Sequence, residues 1–421
     1  MYIEILPSFE TNKPSGGEAT ATGMLRRFTR VSGVVALTAA LALAVPLTLT
    51  PGSAVADDCL LDTNNDGNAD TDVDTDLGAT SSGDDSRLAC GDGAVVDGAG
   101  GTALGAGSHA FIEAVAIGFE ANADSQGSVA IGGDDDGSGV GANTGLGNEG
   151  AIAIGADSEA LADDAIAIGA DAGDGGSVGA TATGARAIAI GADADATLND
   201  AVALGPDADA TGSTSVAIGA GADADSTDAI AIGTFADALA TDAIAIGDGA
   251  EATADGAVAI GDAADALADG AVALGDGADA DFDGSVAIGD GADANSAGAI
   301  AIGDGAVSAS IGIGAGVVST GGTSTVVGDG AFSTVADSSA FGDSAVVDGT
   351  GGTAIGAGSH AFTQAVAFGN EANADSVGSV AIGGDADGSG TGANTGLGNV
   401  GAIAIGADTD ATAVGAIAMG A

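Results

Sequence analysis

Oxygen-bearing side chains recur at alternate positions in a short segment near residue 65. Asp62, Asn64, Asp66 and Asp70 occupy positions 1, 3, 5 and 9 of a possible calcium loop, with glycine at position 6. This spacing is typical of the start of such a loop, because carboxylate and amide oxygens are the ligands that Ca2+ prefers. Position 12 is Val73 rather than Glu, so an EF-hand is incomplete. We expect calcium binding here, with an acidic linker as the alternative.

Two cysteines enclose this segment. Cys59 and Cys90 are the only cysteines of the chain. A disulfide between them would close a loop that has no hydrophobic core of its own, and it would require an oxidising compartment. Cys90 also stands at the end of an apolar repeat, so the alternative is a small buried hydrophobic residue.

Acidic residues recur at a fixed distance from a repeated glycine, and we name this column the acid ladder. Four residues after the glycine, eight consecutive repeats carry a carboxylate: Asp195, Asp209, Asp223, Asp237, Glu251, Asp265, Asp279 and Asp293. Carboxylates about 4.8 Å apart repel each other by roughly 0.9 kcal/mol even at the dielectric constant of water. The ladder therefore indicates cations nearby, either as a diffuse ion atmosphere on a salt-adapted surface or as discrete divalent sites.

The two histidines give little support to catalysis. His109 and His360 lie in segments 92–160 and 343–411, which match almost residue for residue, so they count as one observation. No Ser-His-Asp or Cys-His spacing predicts an activated nucleophile. We expect both histidines to be loop residues and the protein not to be an enzyme.

These residues are positioned by a strict internal repeat. A phrase of the form Ala-Ile-Ala-Ile-Gly recurs, and its glycines, which we name repeat glycines, number 23 from Gly91 to Gly420. From Gly191 to Gly303 they keep an unbroken 14-residue period over eight successive intervals. A period of this length predicts a solenoid of stacked coils. We expect an all-β parallel β-roll of about 23 coils, roughly 110 Å long at 4.8 Å per coil.

Alternation within one repeat predicts two short strands per coil. Ile188 and Ile190 share one face of the first strand, and Ala187 and Ala189 share the other. We expect the Ile pair to point into the coil and Ala189, two residues before the glycine, to point outward. Stacked coils would then carry an uncharged alanine stripe through which chains associate. The alternative is that small residues merely suit a tight strand.

Charge and targeting signals suggest four segments. Residues 24–56 read as a signal peptide, with a basic start, an apolar run and an Ala-Val-Ala cleavage site. Residues 1–23 are an upstream extension, 57–90 the acidic calcium-loop-like segment, and 91–421 the repeats. After residue 56 the chain keeps 58 acidic side chains and only two basic ones, Arg87 and Arg186, for a net charge of −56. Nucleic acid and anionic membranes are therefore excluded as partners.

The repeats resemble the heads of trimeric autotransporter adhesins, the YadA-like heads. The phrases Ser128–Gly132, Ser215–Gly219 and Ser285–Gly289 read Ser-Val-Ala-Ile-Gly, and the 14-residue period and the Gly-x-x-Ala-x-Ala continuation match as well. Over about residues 88–421 the resemblance implies a left-handed β-roll, a homotrimer, and adhesion to host matrix or other cells. An extracellular or cell-surface location follows from the same resemblance.

The sequence departs from the pattern of the YadA-like family, and it leaves other functions to consider. The family pattern continues into a neck, a coiled-coil stalk and a membrane anchor, whereas this sequence ends at Ala421. Either the product is truncated or the rod is held to the cell in another way. A salt-adapted structural or ice- or mineral-binding solenoid is the alternative function. A polysaccharide-processing enzyme is disfavoured, because the chain has no Trp and only one Tyr for stacking on sugars.

Overall fold

The computed structural model confirms an all-β solenoid built from parallel strands. It describes residues 80–81, 87–134, 137, 141–170, 179–386 and 388–420. All of them belong to the second of the chain's two units, Ala54–Ala421. Each regular coil contributes a first strand of three residues, a turn, a second strand of two residues and a return turn. Within the described residues, no helix has the length and apolar character needed to cross a bilayer.

The first strands form a single sheet of 23 parallel strands, in which each strand pairs with those of the coils before and after it. Their bounds are Leu88–Cys90, Thr102–Leu104, Val115–Ile117, Val129–Ile131, Ile152–Ile154, Ile166–Ile168, Ile188–Ile190, Val202–Leu204, Val216–Ile218, Ile230–Ile232, Ile244–Ile246, Val258–Ile260, Val272–Leu274, Val286–Ile288, Ile300–Ile302, Ile311–Ile313, Thr325–Val327, Ser339–Phe341, Thr353–Ile355, Val366–Phe368, Val380–Ile382, Ile403–Ile405 and Ile417–Met419.

The second strands form two further parallel sheets, of four and 16 strands. Their bounds are Thr80–Ser81, Val95–Val96, His109–Ala110, Asn122–Ala123, Glu159–Ala160, Thr181–Ala182, Asp195–Ala196, Asp209–Ala210, Asp223–Ala224, Asp237–Ala238, Glu251–Ala252, Asp265–Ala266, Asp279–Ala280, Asp293–Ala294, Val307–Ser308, Val318–Ser319, Phe332–Ser333, Val346–Val347, His360–Ala361 and Asn373–Ala374. Asn143 links the two sheets, because it bridges Asn122 and Glu159.

Four-residue turns close both ends of a coil. In the turn that begins at Gly205, the N–H of Ala208 donates to the Gly205 carbonyl at 3.4 Å, and Asp207 adopts a φ of +53°. Asp tolerates this left-handed conformation better than most residues. The N–H of Asp207 also donates to the carbonyl of Ala192 in the preceding coil at 3.0 Å. Backbone hydrogen bonds therefore join neighbouring coils through the turns as well as through the strands.

The repeat glycines stack in a column that admits no side chain. Gly233 has a φ of +145°, a region that residues with a Cβ rarely adopt. A Cβ added to Gly233 would lie 2.0 Å from the carbonyl oxygen of Gly247 in the next coil. Glycine is thus required both by the bend of its own chain and by the closeness of the coil stacked on it.

The interior of the coil is filled by alanine, and the expected orientation of the first strand is wrong. Ala187 and Ala189 of the first strand, with Ala194 and Ala196 of the second half-coil, are all fully buried. Ile190 points outward and keeps 40% of its surface exposed. The alanine column two residues before each repeat glycine is therefore core, and it forms no association stripe.

The width of the coil explains this reversal. Alternation places Ile and Ala on opposite faces of a strand but does not say which face is internal. A four-residue turn brings its ends within about 7 Å of each other, whereas sheets that face each other through large side chains pack about 10 Å apart. Two strands joined by such turns leave room for small side chains, chiefly alanine with some serine and a few valines such as Val326 and Val347. The larger isoleucine and leucine side chains therefore face outward.

Several sequence-based expectations fall outside the described residues. The extension 1–23, the signal peptide 24–56 and the calcium-loop residues Asp62, Asn64, Asp66 and Asp70 all lie there and stay predictions. Cys90 ends the first strand of its coil and is disulfide-bonded. Its expected partner, Cys59, lies outside the described residues, so this pairing also stays a prediction.

We predict that Gly275→Ala severely destabilises the stack, whereas Gly277→Ala in the same turn does not. Gly275 has a φ of +140°, and a Cβ there would lie 2.5 Å from the Gly289 carbonyl oxygen. The expected cost is at least about 3 kcal/mol, because backbone strain and overlap add. Gly277 has a φ of +61° and open space around a Cβ, so its cost should be about 1–2 kcal/mol.

Hydrogen exchange of the neighbouring strands is the suitable measurement, since a repeat protein need not unfold in one step. Protection of Val272–Leu274 and Val286–Ile288 should fall strongly only in Gly275→Ala. Equal protection in the two variants would show that the glycine column does not limit the stacking of the coils.

Candidate functional site

A continuous apolar surface lies on the outer side of the first strands, and we name it the isoleucine face. It consists of two columns, at the first and third position of each first strand. In a typical coil these are Ile230 and Ile232, which stack on Val216 and Ile218 of the coil before. The columns extend through all 23 first strands, so the face is roughly 110 Å long at 4.8 Å per coil.

No charged residue interrupts this face. Its 46 positions hold Ile, Val and Leu, with a few Thr, Phe, Ser, Cys and Met, on a chain whose net charge is −55. Side chains such as Phe368, with 52% of its surface exposed, remain open to solvent. Isolated soluble proteins seldom expose apolar patches above a few hundred Å2. The face therefore has the character of an association surface.

The structure brings the eight residues of the acid ladder into one column on the second strands. Asp195 pairs in register with Asp209, Asp209 with Asp223, and the pairing continues through Asp279 to Asp293. The intervening rungs, Asp237, Glu251 and Asp265, stack in the same way. All but the exposed Glu251 are half-buried.

Half-burial and neighbouring carboxylates hold back the ionisation of the ladder. Burial, followed by the charges of Asp225 and the adjacent rungs, raises the pKa of Asp223 to about 7. Burial and neighbouring acids raise the pKa values of Asp209 and Asp279 to about 6. The pKa of Asp195 is also raised, chiefly by burial.

The same causes act on three other rungs, with burial first and nearby carboxylates second. They raise the pKa values of Asp237, Asp265 and Asp293. Burial therefore raises these pKa values more than the repulsion between neighbouring rungs does, although only that repulsion was expected from the sequence. Across the described residues, no group of three or more His, Cys, Asp or Glu side chains is arranged to hold a metal ion.

The histidines lie on second strands rather than in loops, which corrects the sequence-based expectation. The Nε2 atom of His109 lies 2.9 Å from Asp97 Oδ2 in the coil before, and its Nδ1 atom contacts Asp124 Oδ1 in the coil after. We name this arrangement the His clamp. It joins three consecutive coils through one imidazole ring.

The second histidine repeats the clamp. His360 Nε2 lies 2.9 Å from Asp348 Oδ2, and His360 Nδ1 lies 2.5 Å from Asp375 Oδ1. Sequence reasoning missed all four clamp carboxylates. The signal was present, because they stand 12 residues before and 15 residues after each histidine. Each of these separations is close to one coil, and stacking therefore brings such positions beside the ring.

We predict that the described stack is more stable in mild acid than at neutral pH. The pKa of Asp223 is raised in the folded state, so its protonation contributes stability that is fully present below the unfolded value of about 3.9. That contribution is lost as the pH rises through about 7. The melting temperature of the full chain, followed by circular dichroism, should therefore fall between pH 4 and pH 8.

The triple variant Asp209→Asn, Asp237→Asn, Asp265→Asn should melt higher than the wild type at pH 8 and about 50 mM salt. This gain should shrink in acid and near 1 M salt, where the Debye length is about 3 Å. The control changes three exposed turn acids in the same way: Asp242→Asn, Asp255→Asn and Asp283→Asn. An equal gain in the control would assign the effect to net charge rather than to the ladder.

Comparison with known proteins agrees with the geometry. The protein-family model described as YadA head domain repeat matches the sequence at residues 112–134, 148–172, 178–194, 182–208, 196–222, 210–236, 224–250, 238–264, 252–278, 283–306, 336–359 and 363–386. No curated protein matches the chain. The matched segments cover more than half of the sequence and coincide with the stacked coils, so this chain belongs to the family of YadA head domain repeats.

Proposed function

We propose that the chain is the head of an exported, non-enzymatic surface protein that assembles as a homotrimer and mediates adhesion. The carrying observation is the uncharged isoleucine face on a strongly acidic stack of coils. A strip of this length and a width of about 10 Å presents on the order of 1,000 Å2, a standard size for one partner's side of a stable interface. Other copies of the same chain supply a matching surface.

Family membership supports three copies rather than two, because YadA heads typically form homotrimers. In such an assembly the isoleucine faces meet, and the second strands with their acid ladder face solvent. The outer surface then offers a carboxylate at each of the eight ladder coils and no compensating base on the ladder. We infer that adhesion uses cationic groups of a matrix or cell-surface partner, with cell–cell contact or biofilm formation as the outcome.

No observation favours the ice- or mineral-binding alternative. Ice binding would suit a continuous threonine column, but the column that holds Thr183, Thr197 and Thr211 continues with Asp225 and Leu239.

An extracellular or cell-surface location rests on the predicted signal peptide at 24–56 and on the family.

We predict that lysine on the isoleucine face yields folded monomers. Ile218→Lys, Ile232→Lys and Ile246→Lys together place three charges in one outward column, where pairing between chains would bury them without partners. Sedimentation of the full chain should show a trimer for the wild type and a monomer for this variant, with unchanged circular dichroism. A wild type that stays monomeric near 1 M salt would contradict the assembly.

Two controls separate the interface from the core. Thr197→Lys, Thr211→Lys and Thr253→Lys add the same charge on the second-strand side and should leave the mass unchanged. Ala217→Lys alone places an ammonium in the fully buried interior, so it should disrupt the coil itself. An Ala217→Lys protein that is dissociated but fully folded would contradict the inward orientation of the alanine column.

We predict that adhesion depends on the acid ladder. Beads coated with the full chain should bind to immobilised matrix proteins and to cells, and binding should weaken with salt. The ladder variant Asp209→Asn, Asp237→Asn, Asp265→Asn should bind several-fold less than the turn-acid control. If coated beads are retained no better than uncoated beads, the proposed adhesion is wrong. If the ladder variant and the turn-acid control are retained equally, the adhesive surface lies outside the acid ladder.

A further inference from the structure

The coils that follow Gly132 and Gly383 each hold a leucine out into solvent, and we name residues 145–150 and 396–401 the leucine loops. Leu146 is 83% exposed and Leu397 is 84% exposed. Each leucine stands between two glycines at the same place in its loop. Leucines this exposed add little burial that could fix a loop, so polar contacts must hold both loops in place.

A serine of the preceding coil anchors the first leucine loop. The hydroxyl of Ser125 donates to the Gly145 carbonyl at 2.9 Å and accepts from the N–H of Asn148 at 2.8 Å. Inside the loop, Asn148 Nδ2 donates to the Thr144 carbonyl at 2.7 Å. Ser125 thus binds the loop on both sides of Leu146.

The second loop repeats this arrangement. The hydroxyl of Ser376 donates to the Gly396 carbonyl at 2.8 Å and accepts from the N–H of Asn399, also at 2.8 Å. Asn399 Nδ2 donates to the Thr395 carbonyl at 2.7 Å. The anchor is therefore a property of both copies and not an accident of one loop.

Each anchoring serine directly follows a carboxylate of a His clamp. Asp124 precedes Ser125, and Asp375 precedes Ser376. Asp375 is hydrogen-bonded to Nδ1 of His360, and Asp348 is hydrogen-bonded to Nε2 of the same ring. One peptide unit consequently links the clamp to the loop anchor in both copies.

The clamp is complete in only one protonation state of the ring. Two carboxylates accept hydrogen bonds from two ring nitrogens, and only the imidazolium carries an N–H on both. The residues stacked directly beside His360 are Val346 and Asn373, which carry no charge. The titratable groups that face the ring are therefore Asp348 and Asp375.

The first copy has the same surroundings. Val95 and Asn122 stack beside His109, and Asp97 and Asp124 are the titratable groups that face it. Loss of the proton removes one of the two donors, so Asp97 or Asp124 loses its hydrogen bond and the ring no longer joins all three coils.

We propose that each His clamp is a pH-dependent catch for the adjoining leucine loop, holding it rigid while the imidazole is protonated and freeing it in alkali. The hydrogen bond to Asp375 and, despite burial, that to Asp348 raise the pKa of His360 to about 9. Burial alone would lower the pKa of His109, but Asp97 and Asp124 raise it. Because both folded-state values are raised, the stabilisation is fully present below the unfolded value of about 6.5. For His360 it is lost as the pH rises through about 9.

The chain offers a clean optical test, because it contains no tryptophan. Leu397→Trp places a single fluorophore on the second loop of the full-length protein. Its fluorescence anisotropy should fall between pH 7 and pH 10.5 with a midpoint near 9. After residue 56 the chain contains no Lys and no Tyr, so few other groups titrate in this range.

Two further variants decide the outcome. Leu397→Trp with His360→Gln should show the low anisotropy already at pH 7, whereas Leu146→Trp with His360→Gln should keep the high value, because its own clamp is intact. Leu397→Trp with Asp348→Asn should shift the midpoint to lower pH, since one carboxylate that favours the cation is gone. Circular dichroism confirms that each variant is folded.

Anisotropy that is flat from pH 7 to pH 10.5 would overturn the proposal. So would a midpoint unmoved by Asp348→Asn, because the transition would then belong to another group. An equal effect of His360→Gln on both loops would also overturn it, since that result indicates general destabilisation rather than a local catch.

Discussion

The stacking of one repeat glycine on the next is the constraint on which the rest of this structure depends. Coils that pair backbone to backbone, even in their turns, must follow each other at the strand spacing of about 4.8 Å. At the bend after the first strand, that spacing leaves only 2.0 Å between a would-be Cβ of Gly233 and the next coil. Any side chain there would force the coils apart and break the hydrogen bonds on both sides.

The tight bend then determines what lies inside and what lies outside. Short turns hold the two strands of a coil so close that small side chains fill the space between them, chiefly alanines such as Ala189 and Ala196, with serine and a few valines such as Val347. The branched residues that favour strands must therefore point outward. A coil of this kind buries little apolar area by itself, so the isoleucine face is the main hydrophobic surface still available for stabilisation. The proposed association through that face would complete the burial that the narrow interior cannot provide.

The sequence predicted the period, the strands and the register of the acid ladder, because each follows from spacing alone. It could not predict which face of Ile188–Ile190 is internal, since alternation is symmetric and the width of the coil decides. It also considered only the repulsion between neighbouring rungs, whereas half-burial contributes more than repulsion to the raised pKa of Asp223. The His clamps required knowing that positions nearly one coil away along the chain, such as Asp348 and Asp375, become neighbours of His360. The fixed pitch implies this only once the coil geometry is known.

In a regular solenoid a partner cannot distinguish one coil from another, because every coil presents the same surface as the next. Position must therefore come from the coils that depart from the repeat. Here the departures occur together: a histidine such as His360 in place of a ladder acid, and a leucine loop tied to the coil before it. Both recur in the duplicated segment with the same contacts. Copying the segment thus copied a complete local unit, in which a titratable ring, a serine anchor and an exposed apolar tip depend on one another within four coils.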